Sequence, residues 1–564
     1  MAIEEHLREL HTIEVKSQTD EIFTGKLREQ VEKEILPSYL IKNRWFAAKA
    51  QKIQYTEIIE DIHVNGSTPT NYIILLKVFY TEGLPDTYVL PIAAAMGESA
   101  IHLRQEYPFS IISNLRIGLY EGVLYDANYS EKFRSSLLSF ILKRRHLNCK
   151  NGEIKGFFEK RDIISNEDYN TIRSSQVSRA DQSNTAILYE NKLFLKLYRR
   201  IEEGVNPDIE LTRVLTDNDV SRKSSSVNVP HFRGFLEYQD RSSGHCYHLG
   251  HLQVFMPNQG NAWAFTLDFL RMYYEKILSV KEHAVEILTL TKGFPKCFLD
   301  VARENLPPVL SEFIGTRYIE VATLIGKKTA NMHMALCNEA TPDDFAPESF
   351  TSLYQRSLFQ SMHNMTKRVF ELLRQNLVKL PDEFRQEASE LLDRETEIIR
   401  VFNTFVDIRI SSVKIRIHGD YHLGQLLYTG NDLIITDFEG EPSKSINERR
   451  LKRSPLKDLA GMIRSFSYAS YTSLLKTDVF SQRDVDELRD WANIWYIYVS
   501  GIFINSYLEA IRQSPQLSFD HAELKTLLRI YLLDKAVYEV GYELNNRLDM
   551  VIIPIRGIKD ILNP

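Results

Sequence analysis

The chain changes character at Met256-Pro257-Asn258. Before that point short runs with strand alternation recur. After it those signals nearly vanish, and long amphipathic helical segments run from about Ala262 to Phe405. Such a chain builds a strand-rich lobe followed by a helical one, an α+β fold. The helical half is interrupted once, by two short apolar runs, VKIRIHGD and DLIITDFEG, and helices resume from Pro455 to the end.

The strand-rich half divides further. Residues 1–28 are polar without a sustained period and read as a linker or loosely docked lead-in. From Leu27, LREQVEKEILPSYL is helical and ends near Pro37; NYIILLKVFY and DTYVLPIA bracket the turn-former Gly83, and a helical run covers Glu131 to Arg145. Residues 29–146 thus form a small α+β cap. Beyond Asn151-Gly152, AILYENKLFLKLYRR reads as a hairpin about Glu190-Asn191, and VPHFRGFLEY and CYHLGHLQVF add strands, giving a lobe over 147–256. Residues 257–564 form the helical lobe. No repeat at a 20 to 50 residue period interrupts this plan.

Composition excludes several classes. Lys+Arg 69 against Asp+Glu 75 gives a net charge of −6, so there is no large basic field to hold nucleic-acid phosphates. The four cysteines stand singly, which suggests neither a zinc ribbon nor a disulfide framework and fits a reducing compartment. The start, MAIEEHLREL, has acids where a signal peptide carries a basic then apolar run, so a cytoplasmic protein is expected. The most apolar window, Ile494 to Ile504, is short of the roughly 20 residues a membrane span needs and reads as a buried helix.

The segment Arg416 to Glu441, RIHGDYHLGQLLYTGNDLIITDFEGE, carries the chemistry. Asp420 closes one apolar run, Gln425 follows five residues later, and Asp437 closes a second β-type run. Phosphoryl transfer needs a carboxylate that orients the accepting hydroxyl and takes its proton, and oxygen ligands that hold Mg²⁺ on the phosphates. Asp420, Gln425 and the Asp437-Phe438-Glu439 triplet keep the order and spacing of the protein-kinase catalytic loop and its DFG triplet. Either triplet alone is more often a turn or a cap; their joint occurrence behind a strand-rich lobe points to the kinase reading.

A kinase-like lobe also needs a strand lysine and a helical acid to hold it. Lys196, in LFLKLY, and Glu210, near the start of a helix capped by Asn206 with Pro207 at its first position, supply that pair. The glycine-rich phosphate loop is missing; SRADQSNTAIL stands in its place, with Ser183, Asn184 and Thr185 as the available donors. In YLLDKAVYEVGYELNNR, Lys535, Tyr538, Glu539, Tyr542 and Asn545 recur at helical spacing. That stripe suits a sugar, and equally a core helix with a Glu539–Lys535 ion pair. His418 reads as a brace for the catalytic turn, while His422 suits a phosphate, a sugar or a structural contact. Arg464 lies on an amphipathic helix within reach of the site, the run Arg449, Arg450, Lys452 and Arg453 reads as a solvated face, and Trp45 and Trp263 read as core or interface anchors.

RWFAAKAQKI, QSNTAILYENKLFLKLYRRIEEGVNPDIE, VFMPNQGNAWAF, IHGDYHLGQLL, IITDFEGEP, SPLKDLAGMIRSFSYA and DKAVYEVGYELNNR together resemble bacterial maltokinase, from about Glu29 to Gly557. The glutamine in HGDYHLGQ, the glutamate in DFEGEP and the terminal YEVGYELNNR separate this resemblance from aminoglycoside and choline kinases. It implies a two-lobed kinase-like body with an N-terminal cap, in which ATP phosphorylates the anomeric hydroxyl of maltose to give maltose 1-phosphate for α-glucan synthesis. It further implies Asp420 as catalytic base, Gln425 and Asp437 as Mg²⁺ ligands assisted by Glu439, Lys196 on the phosphates, and a hinge at Gln253 to Met256, including Phe255, that meets adenine. Some maltokinases are fused to trehalose synthase, so that enzyme is the implied partner. A kinase for another sugar, an amino sugar or an aminocyclitol of the aminoglycoside kind, and a non-catalytic regulator of a trehalose-converting enzyme, remain the alternatives.

Overall fold

The computed structural model describes residues 10–16, 19–46, 48–49, 51–64, 71–159, 169–178, 183–221, 227–280, 297–301, 306–337, 343–475 and 479–563. The chain divides into two units, residues 1–213, 230–257 and 444–447, and residues 214–229, 258–443 and 448–564.

The first unit holds two sheets. One contains β1 (Thr12–Val15), β2 (Ile53–Val64), β3 (Asn71–Tyr80), β4 (Asp86–Met96), β5 (Ile111–Ile117) and β6 (Tyr120–Asp126), in the order β1-β5-β6-β4-β3-β2. The other contains β7 (His146–Asn148), β8 (Gly152–Phe158), β9 (Ser175–Ser178), β10 (Thr185–Tyr189), β11 (Leu193–Leu197), β13 (Phe232–Asp240) and β14 (Cys246–Val254), in the order β7-β8-β13-β14-β11-β10-β9. The two-residue β12 (Arg200–Ile201) leaves the second sheet's hairpin to pair with β4. Between the sheets lies α1 (Glu131–Leu142), whose Phe133, Leu137 and Ile141 join one buried cluster with Leu75 and Val89 of the first sheet and Ile187, Leu195 and Leu252 of the second. The expected cap and lobe therefore share this core, and the cap has a second core of its own that includes Ile22, Val31, Leu40, Ile74 and Leu90.

The hairpin β10–β11 forms where the sequence placed it. Glu190 and Asn191 both take positive φ, 46° and 52°, at the centre of a turn closed by the Lys192 N–H donating to the Tyr189 carbonyl, and Tyr189 pairs with Leu193. Two other expectations are corrected. Residues 1–28 are not a loose lead-in where they are described: β1 pairs in parallel with β5, and Ile13, Val15, Ile22 and Phe23 are buried. Nor does the first helix stop near Pro37. Helical pieces Gly25–Gln30, Val31–Ile35 and Leu36–Lys42 run on, and the middle one is a π turn, whose wider ring makes room just before the proline that cannot donate. The helix α2 (Pro207–Ser221) follows β12.

The second unit is helical, with α3 (Ala262–Ser279), α4 (Thr316–Leu336), α5 (Ser352–Asn376), α6 (Asp382–Leu392), α7 (Glu395–Asp407), α8 (Leu456–Leu475), α9 (Gln482–Ile511), α10 (His521–Asn546) and α11 (Ile552–Leu562). The apolar window lies inside α9, where Trp491 and Trp495 are fully buried, and no described helix is long and apolar enough to cross a membrane. Gly326 lets α4 approach α9 closely, since a Cβ there would sit 2.4 Å from the Phe503 carbonyl oxygen. Two small sheets interrupt the helices: β15 (Glu348–Ser349) with β16 (Val413–Lys414), and the hairpin β17 (Leu426–Tyr428) with β18 (Leu433–Ile435).

A strand was expected up to Asp420, but β16 stops at Lys414. The reason is where the backbone hydrogen bonds go. Ile415 pairs with Arg453, and the next N–H groups, of His418 and Gly419, donate to the Asp458 side chain instead of a neighbouring strand.

Candidate functional site

In the second unit the loop His418-Gly419-Asp420 is held from below by one carboxylate. Asp458, in the first turn of α8 and fully buried, accepts from the N–H of His418 and of Gly419, each at 2.9 Å, and from His333 Nε2 at 3.0 Å. Burial pushes the Asp458 carboxyl up, but His333, His418 and the Gly419 N–H more than offset it and hold the group below its ordinary value. His333 is steadied in turn by Tyr507, whose hydroxyl is 3.0 Å from Nδ1. Gly419 takes φ of 85°, which turns the chain so that Asp420 points away from this support. His418 Nε2 reaches the Thr436 carbonyl oxygen at 3.0 Å, and its ring packs on Phe438, so this histidine ties the Gly419–Asp420 turn to the segment that follows β18.

Asp420 faces Lys535 of α10, with Nζ 3.5 Å from Oδ1, and His422, whose Nε2 is 3.9 Å from Oδ2. Burial raises its pKa, but Lys535, His422 and His418 outweigh burial and keep the carboxyl ionised below the usual range. Burial pushes the Lys535 ammonium down, and Asp420, Glu539 and Glu441 reverse that, so it stays charged. His422 is held by its own turn, where Nδ1 accepts from the Gly424 N–H at 3.0 Å.

Gln425 and Asp437 meet because of hairpin register. Leu426 pairs with Ile435, so the ends of β17 and β18 bring Gln425 opposite Thr436, whose N–H donates to the Gln425 carbonyl at 2.9 Å. Gln425 Nε2 then donates to Asp437 Oδ2 at 2.9 Å. Asp437 takes φ of 66°, a left-handed conformation uncommon away from glycine. The donor set here is carboxylate and amide oxygen, the chemistry a hard cation such as Mg²⁺ prefers, so the residues fit that ion. Glu439 stands two residues on, its carbonyl accepting from Arg449 at 3.0 Å.

The sugar stripe is only partly gathered. Lys535 lies 5.1 Å from the Tyr538 ring centroid, and Tyr538, raised to about 12 by burial and Glu441, is on the same side of α10. Glu539 turns into the core, where it pairs with Arg464 rather than Lys535. Tyr542 is exposed and packs on Arg547, and Asn545 donates to the Gly541 carbonyl of its own helix. Arg464, expected near the site, is fully buried. The run Arg449 to Arg453 is not a solvated face: Arg450 pairs with Asp344, Lys452 with Glu348, and Arg453 donates to Tyr354.

In the first unit Lys196 lies buried in β11, and the carboxylate set against it is Asp208, Oδ2 at 3.5 Å, at the start of α2. Asp208 also accepts from Tyr198 at 3.2 Å and faces His251 at 3.4 Å. Glu210, the acid expected there, lies two residues further along the same helix and is half-buried. Asn184 and Thr185 hold Arg199: Asn184 Oδ1 accepts its N–H at 3.4 Å and Thr185 Oγ1 its Nε at 2.7 Å, while Asp126 pairs with its guanidinium. Ser183 is exposed beside them. Gln253, the last residue but one of β14, pairs with Phe194, and the Phe255 N–H donates to the Lys192 carbonyl.

Asp458, Asp208 and His333 were missed. The one signal for Asp458 was an acid just after Ser454-Pro455, which reads as an ordinary helix-start charge.

No protein-family model matches the chain. A glucosamine kinase of Mycolicibacterium smegmatis is 29% identical over 125 residues, and one of Streptacidiphilus jiangxiensis is 24% identical over 148. These alignments cover 22% and 26% of this chain and only 29% and 32% of the relatives' own length. Among solved structures, a glucosamine kinase in crystal form B superposes with a TM-score of 0.57 at 14% identity, over 92% of this chain and 96% of that one. A glucosamine kinase in complex with glucosamine, ADP and inorganic phosphate gives 0.54 over the same shares. The chain therefore has a kinase-like α+β fold, a strand-rich part followed by a helical one.

Proposed function

We propose that this protein is an ATP-dependent sugar phosphotransferase whose acceptor is maltose, phosphorylated at the anomeric hydroxyl to maltose 1-phosphate. The observation that carries the reading is Asp420: an ionised carboxylate at the head of a loop whose backbone is pinned by Asp458, in the same short segment in which a hairpin brings Gln425 and Asp437 together.

Asp420 would accept the hydrogen bond of the acceptor hydroxyl, orient its lone pair toward the γ-phosphorus and take its proton as the new P–O bond forms. Gln425 and Asp437, with Glu439, would hold Mg²⁺, which when bound neutralises phosphate charge. Lys196, positioned by Asp208, would serve the α- and β-phosphates. The relatives' names favour a second reading, an amino-sugar acceptor. Against it, the Lys535 ammonium stands 3.5 Å from Asp420, where an ammonium-bearing acceptor would meet a like charge. Tyr538 offers an aromatic face beside Lys535, as a neutral disaccharide requires.

Supply of α-glucan synthesis, association with a trehalose-converting enzyme and a cytoplasmic location belong to the same proposal; the four free cysteines support a reducing compartment. The test is incubation of purified protein with ATP and Mg²⁺ plus maltose, glucose, glucosamine or an aminoglycoside, with products identified by phosphorus NMR. A new anomeric phosphate with maltose alone supports the proposal, glucosamine 6-phosphate replaces maltose by the second reading, and no ATP consumption with any acceptor leaves the non-catalytic module.

A further inference from the structure

The second unit contains a cavity of about 390 Å³ that neither Asp420, Lys535 nor Gln425 lines. Its walls are apolar and aromatic: Ile494 and Ile497 of α9, Leu528 and Leu532 of α10, and the rings of Tyr471 and Tyr496. At its floor sits Arg464, only 1% exposed.

A guanidinium carries five N–H donors and no acceptor, and buried donors are expected to be satisfied. Arg464 donates from Nε to Glu539 Oε2 at 2.9 Å and from Nη1 to Ser467 Oγ at 3.3 Å. Its Nη2 lies 2.8 Å from the same Glu539 oxygen but at an angle that makes no hydrogen bond. The group cannot swing elsewhere, because α11 closes over it at Gly557, where even a Cβ would stand 2.2 Å from Nη1. A fixed, buried guanidinium with unsatisfied donors at the bottom of an apolar cavity asks for an oxygen acceptor delivered by an apolar body. The remaining charged lining agrees in sign: Lys525 and Arg529 stand against the carboxylate of Asp560, so the cavity's charged lining is positive in sum.

We propose that this cavity is a second ligand site, separate from the phosphotransfer site, for a small monoanionic carboxylic acid with an apolar ring or chain, its carboxylate on Arg464 and its body between Tyr471, Tyr496 and the α9–α10 aliphatic side chains. The proposal does not rest on the identity of the sugar acceptor.

The full chain is titrated calorimetrically with 3-phenylpropionate, 3-phenylpropan-1-ol and 3-phenylpropylamine, and crystals are soaked with the acid. The expected result is saturable binding of the acid, at least about tenfold tighter than the alcohol or the amine. Ile494→Trp, which fills the cavity, should weaken it by a similar factor while phosphotransfer is unchanged, and the soaked crystal should show the carboxylate on Arg464. Should Ile494→Trp not fold, Ile497→Phe is read in the same way. Equal binding of the three compounds, no binding of the acid, binding that survives the filling variant, or a cavity holding only water or protein side chains overturns the proposal.

Discussion

Replacing Asp458 with Asn tests how the catalytic loop is held. The substitution keeps shape and exchanges one acceptor oxygen for an NH₂ group. Asp458 Oδ2 accepts from His418 N–H and His333 Nε2, and Oδ1 from Gly419 N–H alone. An Asn oxygen placed at Oδ2 keeps two bonds and loses Gly419; the flipped amide loses two and keeps one. The first orientation wins, and it leaves a donor facing a donor at the residue directly before Asp420. A lost hydrogen bond to a charged acceptor with a buried N–H left unpaired costs about 2–4 kcal/mol. Freed backbone at Gly419 also displaces Asp420, and a misplacement of about 1 Å costs on the order of 10²-fold in rate. Asp458→Asn should therefore lower the denaturant midpoint and reduce kcat about 100-fold, with KM for ATP little changed. Tyr507→Phe, which touches only the far side of His333, should fall between this variant and wild type. A kcat for Asp458→Asn within about threefold of wild type would refute the reasoning, because the loop would then hold Asp420 without this carboxylate.

Four further outcomes are expected. Asp420→Asn should melt like wild type and lose about 10²–10⁴-fold in kcat, measured by coupled ATP turnover; near-normal turnover removes the residue from the chemistry. Lys535→Met leaves the upward push of burial on Asp420 opposed only by two imidazoles, so the acid limb of the kcat profile should move to higher pH, and an unmoved limb rejects the pairing. Gly461→Ala places a Cβ 2.6 Å from the Tyr421 carbonyl oxygen, on backbone that cannot yield cheaply, and should cost about 1–3 kcal/mol in urea denaturation together with a fall in kcat. His248 is lowered to about 4 by burial. The folded state keeps it neutral while the unfolded chain protonates below about 6.5, so it lowers stability as pH falls from about 6.5 to 4, by up to about 3 kcal/mol. His248→Asn should flatten that part of the pH dependence of the urea midpoint.

What was readable in this sequence was local. Glu190-Asn191 between two β-type runs forms the turn that the pair favours, and α9 buries the apolar window that was too short for a membrane. Gln425 and Asp437 could be paired from spacing because a hairpin of two three-residue strands joins them. What was missed depends on which neighbour arrives from far along the chain. Asp208 opens the same helix as Glu210, and its approach to Lys196 is set by how α2 lies on β11, which no local pattern states. The side-chain oxygens of Asn184 and Thr185 accept from Arg199, buried beside Asp126, a contact that no local pattern announces. β1 escaped notice because four residues alternate too briefly to register as a period.

The same division runs through the catalytic loop. The residues proposed to act on substrate, Asp420, Gln425 and Asp437, lie within one short segment and so form a motif. The groups that give Asp420 its charge and place come from elsewhere: Lys535 from α10, Asp458 from α8, and His333 from α4. None of these three is marked by its own sequence context, since an acid at a helix start, a histidine in a helix and a lysine four residues before a glutamate each have an ordinary explanation. Glu539 illustrates the consequence. Its spacing from Lys535 suggested a local ion pair, but Arg464, buried among the apolar residues of α8, needs a counter-charge more than a half-exposed lysine does, and Glu539 turns inward to supply it. Lys535 is then left to Asp420. The desolvation of one arginine thus decides which carboxylate the lysine meets, and through it the protonation state of the group on which the proposed chemistry depends.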